Sequence, residues 1–224
     1  MADRAASRRD ILEPLALVAV SLVAAVCVVL FKPVHPFIDG NATGIVGIVF
    51  LILTWAAIQR RKEHPADYGL SLKGWPRELL DVAILAVVIF PAFFIGFRLW
   101  WRVRTGIDWD LPWPLWQLAA THVLVVALPE EFLYRGFVQQ RLGRVLRGRI
   151  SILGTQVGWA VVITAALFAA GHFLTDMRVD RLATFFPALV FGWLKERRGS
   201  LVGPVIFHAS ANFFSDILAE GYFG

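Results

Sequence analysis

Residues 15–31 read LALVAVSLVAAVCVVLF, and residues 41–59 read NATGIVGIVFLILTWAAIQ; neither run contains a charge. Each approaches the ~20 residues a helix needs to cross about 30 Å of hydrocarbon. Lipid satisfies no backbone hydrogen bonds, so runs of this kind must be helical. The whole chain agrees with them. Of its 224 residues 58% are hydrophobic and 17% charged, and the mean hydropathy is +0.64, outside the range of ordinary soluble domains. The fold class predicted is all-α, a polytopic transmembrane helical bundle.

Seven spans are predicted, at about 11–31, 42–58, 81–100, 114–137, 155–175, 181–195 and 201–219. The opening MADRAASRRD is basic, but the apolar run after it is too long for a signal peptide. It ends in FKPVHPF without a small-residue cleavage site and reads as a retained first span. Cys27 lies inside that span, which excludes disulfides and cysteine-rich metal sites. The net charge of +5 suggests no nucleic-acid partner, because the basic residues fall in short connections such as QRRKEH and KERRG. With the N-terminus inside, fifteen Lys and Arg lie on cytoplasmic segments (4, 8, 9, 60–62, 73, 77, 141, 144, 147, 149, 195, 197 and 198). Six lie on outer ones (32, 98, 102, 104, 178 and 181). That asymmetry predicts N-in and C-out. Five tryptophans, Trp100, Trp101, Trp109, Trp113 and Trp116, form an interfacial belt between the third and fourth spans. The polar segment DYGLSLKGWPRELLD is expected to lie along the cytoplasmic face.

Ionisable groups inside spans cost several kcal/mol and point to function where they have partners. In VVALPEEFLYRGF, residues 125–137, Glu131 and Arg135 are four apart and share a helical face, so they can pair. Glu130 is turned about 100° away and stays uncommitted, with Pro129 opening the backbone ladder before it. A free carboxylate in such a place can act as general base on water. His172 follows Phe168 by four residues in ALFAAGHFL; taken alone, it equally suits a structural hydrogen bond. In PVIFHASANFF, His208 and Asn212 are four apart and can converge on one oxygen as an oxyanion hole requires, or bond between helices. Together, Glu130, His172, His208 and Asn212 make a water-activating, oxyanion-stabilising set whose reaction is amide hydrolysis. His122, two turns before Glu130, is a weaker candidate for a supporting role.

EEFLYR, FAAGH and HASAN, in this order on separate apolar segments, resemble the three motifs of the CPBP family of CAAX proteases and bacteriocin-processing enzymes, also called ABI proteins. The resemblance covers roughly residues 110–219. It implies an intramembrane endopeptidase in which Glu130 and His172 activate water, His208 and Asn212 stabilise the oxyanion, and Glu131 and Arg135 support them. It implies a division into N-terminal spans with an amphipathic segment (1–110) and a catalytic core (111–224) within one membrane domain. No cofactor is favoured, although Glu130, His172 and His208 also form a zinc-binding set. The substrate expected is a membrane protein or lipidated peptide, as in sorting-tail or CAAX-like processing, and the location a bacterial inner membrane. A non-enzymatic scaffold or a small ion- or proton-coupled transporter is the alternative, for which no inverted repeat is found. Because the stretch from Arg135 to His172 is long and basic, 141 to about 156 is expected at the cytoplasmic surface.

Overall fold

The computed structural model describes residues 2–109, 112 and 114–224, with side chains from residue 8 onward. The boundary expected near 110, Trp113 of the aromatic belt and the side chain of Arg4 lie outside the described residues. A helix stands over each of the seven predicted segments: α1 Ala2–Phe31, α2 Pro36–Arg61, α3 Trp75–Trp100, α4 over 115–145, α5 Trp159–Asp176, α6 Phe185–Arg198 and α7 Val202–Phe223. The chain is an all-α membrane protein. Four helices, Arg8–Val34, Pro36–Arg61, Trp75–Trp100 and Trp159–Asp176, are long and apolar enough to cross a bilayer. The helices carrying Glu130 and His208 are not among them, the first because π-helical stretches divide it into short pieces.

Local chemistry sets the boundaries. The His35 ring accepts the Phe37 N–H at 3.2 Å, and Pro36, which has no N–H to lose, starts α2. Gly199 takes the left-handed conformation (φ 77°) that ends α6 after Lys195, Arg197 and Arg198. At the start of α7 the Ser200 hydroxyl accepts the Val202 N–H at 3.0 Å. Glu78 of α3, 1% exposed, accepts that of Gly203 at 2.8 Å.

α4 is not a uniform α-helix. Residues 122–127 and 132–139 are π-helical, and the single α turn between them is LPEE, Leu128–Glu131. Proline at 129 has no N–H for the Val125 carbonyl. The backbone widens instead, and Leu128 donates to Val123, five residues back. Gly47 of α2 lies against this bulge, where an added Cβ would stand 2.5 Å from the Val125 oxygen, so only glycine permits the approach.

Three expectations need correction. The segment 141–156 does precede the fifth span, but that span starts at Trp159 rather than 155, because Thr155–Gly158 forms a strand. This β2 pairs antiparallel with β1, Arg149–Ile152, and α4 runs on to residue 145 rather than stopping at 137. Leu153 and Gly154, at φ 49° and 74°, form the two-residue loop that suits a tight hairpin. The polar segment 67–81 keeps residues 72–77 exposed but does not lie wholly along the surface. It turns at Pro65–Tyr68, begins α3 at Trp75, and buries Tyr68, Glu78 and Asp81.

The arginine-rich end of the bundle is tied together. Arg141, 2% exposed, donates to Glu63 at 2.9 Å and to Asp10, while Arg61 bonds Glu13. Tyr68 donates to Glu63 and stacks on Phe137 with centroids 5.4 Å apart. Burial, then that bond to Glu63, holds the Tyr68 hydroxyl above its ordinary range, so it remains a donor. Asp81 accepts from Arg197 at 3.1 Å and from Arg198 at 2.5 Å.

Candidate active site

The adjacent carboxylates of α4 meet different fates. Glu131 is fully buried, and its Oε1 accepts both from Arg135 Nη1 at 3.0 Å and from the Nδ1 side of His208 at 2.8 Å. The expected pair therefore forms, but Glu131 does more than neutralise Arg135. It also holds the histidine of α7, 77 positions away in sequence.

Arg135 is caged. Its guanidinium lies over the Phe168 ring at 4.6 Å and the Phe191 ring at 5.0 Å, and it donates to the Ala188 carbonyl at 3.1 Å. Phe191 in turn stacks on the His208 imidazole, centroids 4.7 Å apart and planes inclined by 12°. Arg135, Glu131, His208 and Phe191 thus fix one another. A cation between two ring faces, bonded to a carboxylate, is a form in which a buried charge is tolerable.

Glu130 faces elsewhere. Its Oε2 is buried without a hydrogen-bond partner, and His208 Nε2 stands 3.8 Å away. That separation exceeds a hydrogen bond and leaves room for a reacting group to intervene. One imidazole accordingly links both glutamates: Nδ1 to Glu131, Nε2 toward Glu130. An ionised carboxylate only accepts, so Nδ1 carries a proton, and Nε2 can donate only when the ring carries a second one.

His172 of α5 packs edge-on against Phe168, centroids 4.6 Å apart. It stands in the wall between two cavities. The first, of about 230 Å³, holds Glu130 with Tyr134 and reaches Lys32, Thr43 and Asp176. The second, of about 580 Å³, holds His208 and Asn212 and is otherwise lined mainly by apolar groups of α3, α6 and α7, among them Phe90, Phe93 and Phe214. Asn212 lies one turn beyond His208 on α7 and shares that cavity. The structure thus sets Glu130 in the first cavity and His208 and Asn212 in the second, with His172 bordering both and Glu130 and His208 meeting at their junction, 3.8 Å apart. His122 is drawn instead to Asp216, Nε2 to Oδ2 at 2.9 Å, and does not line either cavity.

Phe168, Phe191 and the N-terminal residues Lys32, Thr43 and Gly47 shape the site although their spacing carries no chemical signal. Glu78 was legible only as an acid at the start of a helix. Its role at Gly203 depends on a contact across 125 positions. Glu130, His172 and His208 do not fit a zinc ion as placed. Among the described residues no three His, Cys, Asp or Glu side chains are grouped to hold a metal.

A family model described as type II CAAX prenyl endopeptidase Rce1-like matches residues 112–214. No curated protein and no solved structure matches the chain.

Proposed function

We propose that the chain, whose residues 112–214 match a family model described as type II CAAX prenyl endopeptidase Rce1-like, is an intramembrane endopeptidase with Glu130 as its general base. The observation that carries this reading is the division between the two glutamates. Both leave Oε2 buried and unpartnered, but Glu131 is wholly enclosed with its Oε1 bonded to Arg135 and His208, whereas Glu130 lines the first cavity beside His208. A base must also reach the substrate, and of the two only Glu130 lines a cavity.

In the proposed reaction water sits between Glu130 and His172 and attacks the carbonyl carbon of the substrate peptide. Glu130 takes the proton that the water gives up. The carbonyl oxygen gathers the negative charge and receives hydrogen bonds from the Asn212 amide and, with the ring doubly protonated, from His208 Nε2. Collapse of the intermediate breaks the C–N bond, and Glu130 returns its proton to the leaving amine. Glu131 and Arg135 keep the His208 ring in place throughout. No metal enters this scheme.

The substrate class is a membrane-anchored protein or lipidated peptide. The apolar cavity beside Asn212 suits the greasy part of such a molecule. We place the enzyme in a bacterial inner membrane, as a seven-span protein with the N-terminus inside. Replacing Glu130 by Gln keeps the shape and removes the base. Cleavage should fall by about 10²–10⁴-fold with thermal unfolding unchanged. The measurement compares, by mass spectrometry, the termini of membrane proteins in cells expressing either chain. Termini that persist unchanged with Glu130→Gln would overturn the assignment.

A further inference from the structure

The two ends of the helical bundle give unequal access to the junction. His172 stands four residues from the last residue of α5, Asp176, and thirteen from its first, Trp159, about 6 Å against about 20 Å along the axis. Both cavities carry their charged groups toward the Asp176 end. The first includes Lys32, just after α1, Thr43, early in α2, and Asp176 itself; the second includes Asp180, Arg181 and Thr184 of the turn after α5.

Two cavities of about 370 and 530 Å³ also open at the other end, the first running from Gly69–Leu72 to Val123 and Leu128, but neither is lined by Glu130, His172, His208 or Asn212. Below Tyr134 the catalytic helix continues into Phe137, Val138 and Arg141, none more than 2% exposed. Tyr68 covers Phe137, and Gly136 is so close to the Tyr68 carbonyl that an added Cβ would stand 3.1 Å from it. Gln139 donates to the Gly192 carbonyl and to Glu196, both at 3.0 Å, and Lys195 donates to the Gly199 carbonyl at 2.7 Å. The paired cluster of Asp10, Arg61, Glu63 and Arg141 closes the remainder.

We propose that substrate reaches the site from the end of the bundle opposite its arginine-rich end, so that the bond cut lies toward the outer face of the membrane. The sealed end carries Arg60, Arg61, Arg141, Arg144, Arg147, Arg149, Arg197 and Arg198, which the positive-inside rule assigns to the cytoplasm. The open end is therefore extracytoplasmic. The substrate is a membrane-anchored protein cleaved near the outer end of its span, rather than a lipidated tail displayed in the cytoplasm. This inference rests on the endopeptidase reading only for the nature of the reaction; the sidedness of the cavities stands apart from it.

The test begins with Cys27→Ser, which removes the only thiol. Thr43→Cys then places a thiol at the rim of the first cavity, and Lys73→Cys one on the exposed loop at the sealed end. A membrane-impermeant maleimide is applied to right-side-out and inverted vesicles holding the full chain. Thr43→Cys should label in right-side-out vesicles and Lys73→Cys only in inverted ones; the reverse pattern would overturn the proposal. Each labelled variant is then compared with its own unlabelled form for production of the termini that require Glu130. Maleimide on Thr43→Cys should reduce them at least tenfold, and full labelling without loss would equally overturn the route. If instead Glu130→Gln remains fully active while the labelling pattern holds, the catalytic assignment fails and the sidedness survives.

Discussion

At the arginine-rich end of the bundle buried charges are tied into networks, whereas at the junction of the two cavities Glu130 keeps a carboxylate oxygen that is buried and unbonded. Arg141 holds Glu63 and Asp10, and Asp81 holds two arginines. Within one helix the same contrast recurs between Glu131 and Glu130. The networked groups hold helices together, and the one that opens on a cavity is available to react. Each prediction below asks whether stability and chemistry can be separated along that line.

Glu131 is where they should not separate, and it carries the largest expected effect. Glu131→Gln leaves the Arg135 charge buried without its counter-ion and loosens the His208 ring. Loss of one partner of a buried pair costs about 3–5 kcal/mol. Thermal unfolding in detergent should drop accordingly, and cleavage per folded molecule should fall as well. A variant that kept its full stability would show that the cage of Phe168 and Phe191 alone sustains Arg135.

Asn212→Ala should separate them. The amide lines a cavity and, in the proposed mechanism, meets charge only as the reaction proceeds. Its loss should lower kcat by about 10²–10³-fold, the usual effect of removing one oxyanion donor, with KM and unfolding temperature held. A large fall in stability instead would make Asn212 a helix-to-helix bond and not part of the machinery.

Glu78 sharpens the comparison from the sealed side. It caps the helix that bears His208 and Asn212, yet it lies in α3, outside the residues matched by the family. Glu78→Ala leaves the Gly203 N–H buried without an acceptor, at a cost of about 1–3 kcal/mol. The rate should fall less than for Asn212→Ala, and Glu78→Gln, which retains an acceptor oxygen, should restore most of both losses. No recovery with Gln would mean that the negative charge at the helix N-terminus matters rather than the hydrogen bond.

Legibility in the sequence follows the range of each interaction. The spacing of Glu131 and Arg135 was readable because both lie one turn apart, and the apolar runs were readable because lipid leaves helices no alternative. Pro129 signalled a break in the ladder, but not that two π-helical stretches would flank it. The second role of Glu131 was hidden, because its bond to His208 spans 77 positions. The hairpin was half legible: Ile150 and Ile152 alternate with Ser151 before Leu153–Gly154, a short strand and tight turn obscured by helical neighbours. Glu78 was hidden for the same reason as Glu131, its partner being the start of a distant helix.

The smallest effect expected is none. If Glu130 acts on water directly, prolonged treatment of the purified protein with a strong chelator should leave the cleavage rate within about twofold. The donor arrangement is the reason. Zinc takes at least three protein ligands at about 2.0–2.2 Å when held by His and carboxylate, and catalytic sites keep a fourth position for water. Here Glu130 and His208 Nε2 stand 3.8 Å apart, and no third donor completes a set among the described residues. To bind metal, the junction would have to draw Glu130, His172 and His208 together around one point. A rate abolished by chelation and restored by added zinc would show that it does, and would move Glu130 from base to ligand.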